Sequence, residues 1–239
     1  MKTGDLVWVG ALGSVVAALL HPVSHGAILH ATMSHPFLMG FVKFAILATM
    51  GELLAIRIVT ARWSIPAGMM YRAIVWGILG VGLVEIFAIF AAGVAASTRD
   101  GLLPIAQHNL SRFVTTAIWT SVMLNLAFSP VLMIGHRIDD TYLDLAQGKL
   151  RKLGSVRLRQ VVAQIDWQGL VGFVCLSTIP FFWIPAHTVT FLLPPEYRVL
   201  YAAFLSIALG VVLALAKRGQ SPHGDSSKTI LFQRYSEAD

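Results

Sequence analysis

The feature that most constrains the fold is a series of long apolar segments that recurs along the chain. They cover residues 6–24, 36–59, 69–97, 113–136, 167–193 and 197–216. All but the first reach the ~20 residues that a helix needs to cross a hydrocarbon core of about 30 Å. Only 13% of the residues are charged, whereas soluble domains carry about a quarter. Continuous apolar runs in lipid indicate helices, so the sequence predicts an all-α, polytopic integral membrane bundle of about six transmembrane helices.

Lysine and arginine are concentrated in alternate connections between these segments. They lie around the connection between the second and third segments, at Arg57, Arg62 and Arg72, in the long loop over 137–166 and at the end of the chain, whereas residues 21–35 carry none. The positive-inside rule then predicts that both termini are cytoplasmic. We expect a bundle over residues 1–218 and a polar, flexible tail over 219–239. No small-residue cleavage site follows the first segment, so we interpret it as a retained span.

The loop over 139–166 is the one polar region with a helical pattern. Leu150, Leu153, Val161, Val162 and Ile165 can share one face. The charge comes from Lys149, Arg151, Lys152, Arg157 and Arg159. We expect a basic amphipathic helix on the inner leaflet, interrupted near Gly154. It is either a solvated anchor or a surface for anionic lipids or a partner. The net charge of +6 is explained by such loops, and we expect no nucleic-acid partner.

Ionisable residues inside or beside the apolar segments are the candidate functional residues. A charge at the centre of a membrane helix costs roughly 2.5–3.5 kcal/mol on insertion scales. Lys43 and Glu52 stand on opposite sides of one helix, so they cannot pair with each other. A pair between Lys43 and Glu85 on the next helix is one possibility. The residues form either structural ion pairs or the lining of a pathway. The set is Lys43, Glu52, Arg72, Glu85 and His187.

Two further patterns concern helix geometry. Pro130, Pro180 and Pro185 interrupt apolar segments, which predicts kinks and freed carbonyl groups. Small residues spaced four apart favour close approach of helices. We expect the stripe of Ala88, Ala92 and Ala96 to do this.

Four histidines lie between the first two segments. His21, His25, His30 and His35 invite a metal interpretation. Their spacing matches no ligand motif, and Pro22 and Gly26 are expected to break the helix that would align them. We expect a polar loop at the membrane surface. No catalytic motif is present, so we predict neither an enzyme nor a cofactor.

Several short motifs together carry a family resemblance. Trp183, Phe191, Pro195 and Arg198 follow the order of the closing motif of the Mpv-type family, the 22-kilodalton peroxisomal membrane proteins and their mitochondrial inner-membrane relatives. His35-Pro36 and Gly51-Glu52 resemble its earlier motifs. Further matches are Arg72, Gly77 and Gly82, and then Asn125 and Pro130. The family's G-P-x-x-H-x-W-Y signature is absent, because Leu83 replaces the proline and Ile86 stands at the histidine position.

The resemblance implies a core of four to five helices and a function as a small channel or facilitator for ions or small solutes. The chain resembles a distant branch of this family, and we expect the chain to lie in a bacterial inner membrane. The alternative is a non-catalytic scaffold or accessory subunit of a membrane complex. We expect the lipid bilayer, copies of the chain or other membrane subunits as partners. As pathway lining, Glu52 and Glu85 would favour cations.

Overall fold

A computed structural model describes residues 2–106 and 108–219. The described residues form ten α-helices and one π-helical segment, which are joined by turns and loops. They contain no β-strand. The helices are α1 Thr3–Leu20, α2 Pro22–Ser34, α3 Pro36–Thr60, α4 Met69–Arg99, α5 Asn109–Ala127, α6 Ser129–Leu145, α7 Leu150–Leu153, α8 Leu158–Gln164, α9 Ile184–Leu192 and α10 Pro195–Gly219. The π-helical segment Gly169–Trp183 leads directly into α9. The expected flexible tail lies outside the described residues from 220 onward.

The predicted membrane bundle is confirmed. Five helical stretches among the described residues are long and apolar enough to cross a membrane, and α5 with α6 makes a sixth if counted as one broken span. These two helices meet at a bend of 43°. Pro130 stands in the first turn of α6, where its missing N–H group ends the hydrogen-bond ladder of α5. Pro180 lies inside the π-helical segment, and Pro185 opens α9.

The helix α3 is the centre of the bundle, and it packs most extensively against α4 and α10. We call the end where α3 and α10 begin the upper end, and the end where α3 finishes and α4 begins the lower end. A salt bridge of 2.8 Å between Asp5 and Arg57 places the start of α1 at the lower end. Gly51 packs against Gly210, so α10 finishes there too. The first and last described helices therefore start and finish at the same end.

Glycines allow α3 to approach both of its neighbours closely. A Cβ atom on Gly40 would lie 2.8 Å from the carbonyl oxygen of Gly80 in α4, and one on Gly51 would lie 3.0 Å from Cα of Ile207 in α10. The expected alanine stripe is not used in this way. Ala88 and Ala92 are exposed, since the buried side of α4 is formed by residues such as Gly80 and Phe87. Within this chain, close packing depends on glycines of α3, α4 and α10.

The helices α1 and α2 lie on the outside of this core. Neither contains a buried residue. The indole nitrogen of Trp8 donates a hydrogen bond of 3.0 Å to the carbonyl of Met50, which fastens α1 to α3. The expected polar loop of histidines is instead the helix α2. Pro22 fits there because the first helical turn needs no N–H donor, and Gly26 is accommodated inside the helix.

The basic region is less continuous than expected. The helix α6 extends to Leu145, and only the short helices α7 and α8 follow before the π-helical segment. Val161 and Ile165 are buried against Leu170, whereas Val162 is exposed. The region is therefore partly packed beneath α6 and does not lie as one amphipathic helix on a surface.

We expect the Gly80→Ala substitution to destabilise the bundle by about 1–3 kcal/mol, as overpacking in a tight core does. The added Cβ would clash with the carbonyl oxygen of Gly40 and lie 2.7 Å from Cβ of Phe44. Gly82→Ala is the matched control on the same helix, because nothing lies within 4 Å of its Cβ position. Thermal unfolding in detergent, followed by tryptophan fluorescence, measures the difference. Equal midpoints for the two variants would contradict this account of the packing.

Candidate functional site

A buried arginine joins three helices at the lower end. Arg72, one turn into α4, has a side chain only 6% exposed. Its guanidinium nitrogens lie 2.8 Å from Asp140, 2.6 Å from Asp144 and 3.3 Å from Glu52. Glu52 belongs to α3 and the two aspartates to α6. The planar guanidinium can serve several carboxylates at once, so it fixes α3, α4 and α6 relative to one another.

An aromatic pair extends this Arg72 cluster, which we define as Arg72, Glu52, Asp140 and Asp144. The rings of Trp76 and His136 lie 4.3 Å apart. His136 Nε2 is 3.5 Å from Asp140, and the Trp76 indole nitrogen is buried beside the Glu52 carboxylate. The carboxylates of the cluster are therefore shielded by rings on one side.

A cavity of about 280 Å³ extends from the Arg72 cluster into the bundle. We call it the lower cavity. Its walls are mostly apolar and come from α3, α4, α5, α6, the π-helical segment, α9 and α10. Polar groups are found at two places. Glu52, His136, Arg137 and Asp140 stand at one, and Ser129 and His187 at the other. An apolar chamber with a few placed polar groups is the usual composition of a small-molecule site.

The deep polar group is organised around Asn125, which is fully buried. Its amide nitrogen donates to the carbonyl of Ser121 at 2.8 Å and lies 3.0 Å from Nδ1 of His187. Its carbonyl oxygen accepts a bond of 2.9 Å from Ser129. Trp183 stacks on the other side of His187, with 5.0 Å between ring centroids. These bonds hold the His187 ring against the cavity.

Three buried nitrogens of residues on the cavity wall have no hydrogen-bond partner in the described protein. They are Nε1 of Trp76, Nδ1 of His136 and, deeper in the cavity, Nε1 of Trp183. A buried polar atom without a partner costs about 1–3 kcal/mol, and such atoms are rare in native proteins. The indole N–H can only donate. A solute with a hydrogen-bond acceptor would satisfy it.

The structure brings some of the predicted residues together and separates others. Glu52 and Arg72 form one cluster, and His187 lies deeper in the same cavity. Lys43 is elsewhere, bonded to Thr32 of α2 at 2.8 Å, so the possible pair with Glu85 is not formed. Glu85 lies on the exposed face of α4, on the side away from α3. A single pathway inside one chain does not connect Glu52 with Glu85.

Sequence reasoning missed Asp140, Asp144 and His136. The signal was available, because the three residues stand four apart and therefore share one stripe of a helix. The charged residues from 139 onward predict a separate loop, whereas α6 continues to Leu145 and carries both aspartates on the same stripe as His136.

The remaining motif residues have local roles. The Arg198 side chain donates to the carbonyl of Leu193 at 3.0 Å and lies over the Phe191 ring. Pro36 and Pro195 open α3 and α10, and His35 precedes α3. Gly77 packs against the ring of Phe41.

Residues 2–106 and 108–219 contain no group of three side chains placed to hold a metal ion. His21, His30 and His35 are exposed, and His25 is bonded to Tyr197 at 3.2 Å.

Comparison with known proteins gives no relative for this chain. No protein-family model, no curated protein and no solved structure matches it. Its geometry is therefore the basis for assigning a function.

We expect Arg72→Met to destabilise the protein by about 3–5 kcal/mol, because removing one partner leaves buried carboxylates uncompensated. Arg99→Met is the control. Arg99 is 75% exposed, and its pair with Asp100 spans 3.9 Å, so its loss should cost little. Unfolding midpoints in detergent measure both variants. A tolerated Arg72→Met would show that the cluster does not hold the three helices together.

Proposed function

We propose that this chain is a small integral-membrane facilitator that carries a small solute through the lower cavity. The observation that supports this most is the cavity itself, with its apolar walls, polar mouth and unpartnered Trp183 donor. Its volume of about 280 Å³ is just below the range of typical ligand sites, which starts at about 300 Å³. We therefore propose a solute of a few heavy atoms that carries a hydrogen-bond acceptor.

An aromatic wall separates the lower cavity from the upper end of the bundle. Phe87 is 3% exposed, and its ring lies 5.6 Å from that of His187 and 5.3 Å from that of Phe191. It also lines a second cavity on the upper side. Passage would require this ring to move, so the proposal is a gated facilitator and not an open ion pore. A side-chain rearrangement of this kind is compatible with slow, selective movement of a solute.

The Arg72 cluster forms the lower mouth of the proposed pathway. Three carboxylates face one buried guanidinium there, and Arg137 adds a second positive charge to the lining. A near-balanced mouth of this kind favours a neutral solute over a free ion. This differs from the expectation of cation selectivity, which is based on Glu52 and Glu85 as the acidic lining of one pathway.

We propose that the lower end lies at the cytoplasmic face of a bacterial inner membrane. Exposed Arg151 and Lys152 follow α6 at that end, and positive residues favour the cytoplasmic side. Anionic lipids would contact the same short helices. The resemblance to the Mpv-type family suggests the same general function, although the proposal does not depend on it.

A second candidate function, as scaffold or accessory subunit, is favoured by Glu85. Its carboxyl group lies in the middle of α4 on the exposed face, where lipid offers it no hydrogen-bond partner. A neighbouring membrane helix with a donor or a positive charge would stabilise it. The small residues Gly82, Ala88 and Ala92 on the exposed side of α4 would allow such a helix to approach closely.

The facilitator is tested by filling the lower cavity. Leu132 lines it, while the adjacent Val131 is 66% exposed on the outside of α6. We expect Leu132→Trp to abolish protein-dependent permeability of proteoliposomes, and Val131→Trp to retain it, because both add the same bulk at neighbouring positions. Stopped-flow light scattering with glycerol and urea as probes gives the rates, and planar-bilayer conductance in KCl tests for ion passage.

The outcomes of this experiment separate the two functions. Permeability lost only in Leu132→Trp supports the facilitator. Equal loss in both variants, or no permeability from folded wild-type protein, contradicts it and leaves the scaffold as the stronger candidate.

The scaffold is tested at Glu85. We expect Glu85→Leu to dissociate any assembly extracted from native membranes in a mild detergent, because it removes the ionisable group in the middle of the exposed face of α4. Ile89→Ala is the control, since Ile89 is exposed on the same helix and its truncation leaves the carboxyl group in place. Cross-linking in the membrane and mass measurement after extraction report the assembly. A wild-type protein that is extracted alone, as a single copy, excludes this role.

A further inference from the structure

A second cavity of about 350 Å³ lies at the upper end. We call it the upper cavity. Its walls come from α2, α3, α4 and α10, including Thr32, Lys43, Phe87, Glu196 and Arg198. The opening is bordered by Met33, Pro36 and Pro195, which are exposed. It lies on the other side of Phe87 from the lower cavity, and no step in the proposed transport assigns it a ligand.

Lys43 is the unusual residue in this cavity. It is 7% exposed and stands seven residues into α3, about 10 Å below the start of the helix at 1.5 Å per residue. The Thr32 hydroxyl accepts one of its three N–H donors, at 2.8 Å. Among the described residues, no carboxylate lies within 4.0 Å of its ammonium group. A buried charge that has only a hydroxyl partner is expensive.

The other charged groups of the upper cavity do not neutralise Lys43. Glu196 interacts electrostatically with Arg198, two residues further along α10. The guanidinium of Arg198 is held in place by the carbonyl of Leu193 and the ring of Phe191. The groups that α4 contributes to the wall, Val84, Phe87 and Ala88, are all apolar. The cavity therefore has one positive charge more than it has negative charges.

Two helix ends add to this positive potential. Both α3 and α10 have 25 residues, and their first turns, at Pro36 and at Pro195–Glu196, line the cavity. The N-terminus of a helix presents partial positive charge and free N–H groups, which favour anions and phosphate above all. The ammonium group, the fixed guanidinium and both helix ends are thus directed at one space.

We propose that the upper cavity binds a phosphate group, with the Lys43 ammonium as its principal counter-charge and Arg198 as a second donor. The phosphate belongs either to the headgroup of an anionic phospholipid that enters beside Met33 and Pro36, or to a small soluble phosphate ester. Lysine binds phosphate as a point charge and arginine through its fork of donors. The site is a binding site and does not require that the chain transport anything.

The test uses the full-length protein in mild detergent and in lipid nanodiscs. Calorimetric titration with inorganic phosphate and with glycerol 3-phosphate measures the soluble ligands. Native mass spectrometry after mixing with phosphatidylglycerol or phosphatidylcholine measures retained lipid. The variants are Lys43→Met, which keeps the length of the side chain without its charge, and Lys43→Arg, which keeps the charge. Arg99→Met removes an exposed cation at the same end of the bundle.

We expect Lys43→Met to weaken binding of the phosphate probe about thirtyfold or more, the usual result of removing one partner of a buried charge pair. Lys43→Arg should retain most of the affinity, and Arg99→Met should bind as the wild type does. Binding of glycerol 3-phosphate identifies a soluble ester as the ligand. Selective retention of phosphatidylglycerol that depends on Lys43 identifies a lipid headgroup.

Glu196→Gln distinguishes the phosphate site from an internal ion pair. If Glu196 is the counter-ion of Lys43 in the membrane, this variant lowers the unfolding midpoint and binds phosphate no better than the wild type. That result overturns the proposal. The phosphate site instead requires that Glu196→Gln bind the probe more tightly, because a competing negative charge is removed. Wild-type protein that binds neither the soluble phosphates nor the anionic lipid overturns it as well.

Discussion

The buried charge of Arg72 is the interaction on which the lower half of the bundle depends. In a bilayer, helices gain little from burying apolar side chains against each other, since lipid is equally apolar. Specific position must then come from close packing and from polar contacts. Arg72 supplies the polar contact, because its carboxylate partners belong to α3 and to α6. Without it, the polar contacts that remain between α4 and α6 include the hydrogen bond of 2.7 Å from Tyr71 to Asp139.

Close packing at glycines also fixes the positions of the helices. Gly40 and Gly80 bring α3 and α4 together near the upper end, while Gly51 and Gly210 bring α3 and α10 together near the lower end. These close contacts make α3 the fixed axis of the bundle. The two cavities lie beside these contacts, since Gly51 and Gly210 line the lower cavity and Gly40 lines the upper one. In the proposed facilitator, the ring of Phe87 would move while these helix contacts are kept.

Apolar segment length was sufficient to predict the class of fold, since the need to satisfy backbone hydrogen bonds in lipid leaves few alternatives. The candidate site was only partly accessible. Glu52 and Arg72 stood out as charges near apolar runs, but their partners Asp140 and Asp144 were assigned to a loop because charged residues usually mark the end of a span. Which face of a helix turns inward depends on its neighbours. For that reason, segment length and charge alone do not indicate that Glu85 lies on the exposed face of α4 while Lys43 is buried.

The buried cations at the two ends of the molecule, Arg72 and Lys43, have different partners. At the lower end, the protein supplies the counter-charges itself, so Arg72 is stabilised within the fold. At the upper end, the described residues give Lys43 a hydroxyl partner and no carboxylate within 4.0 Å. A buried ammonium group with only a hydroxyl partner is expensive, whereas a phosphate group would compensate its charge. The environment of Lys43 therefore supports the phosphate site that we propose for the upper cavity.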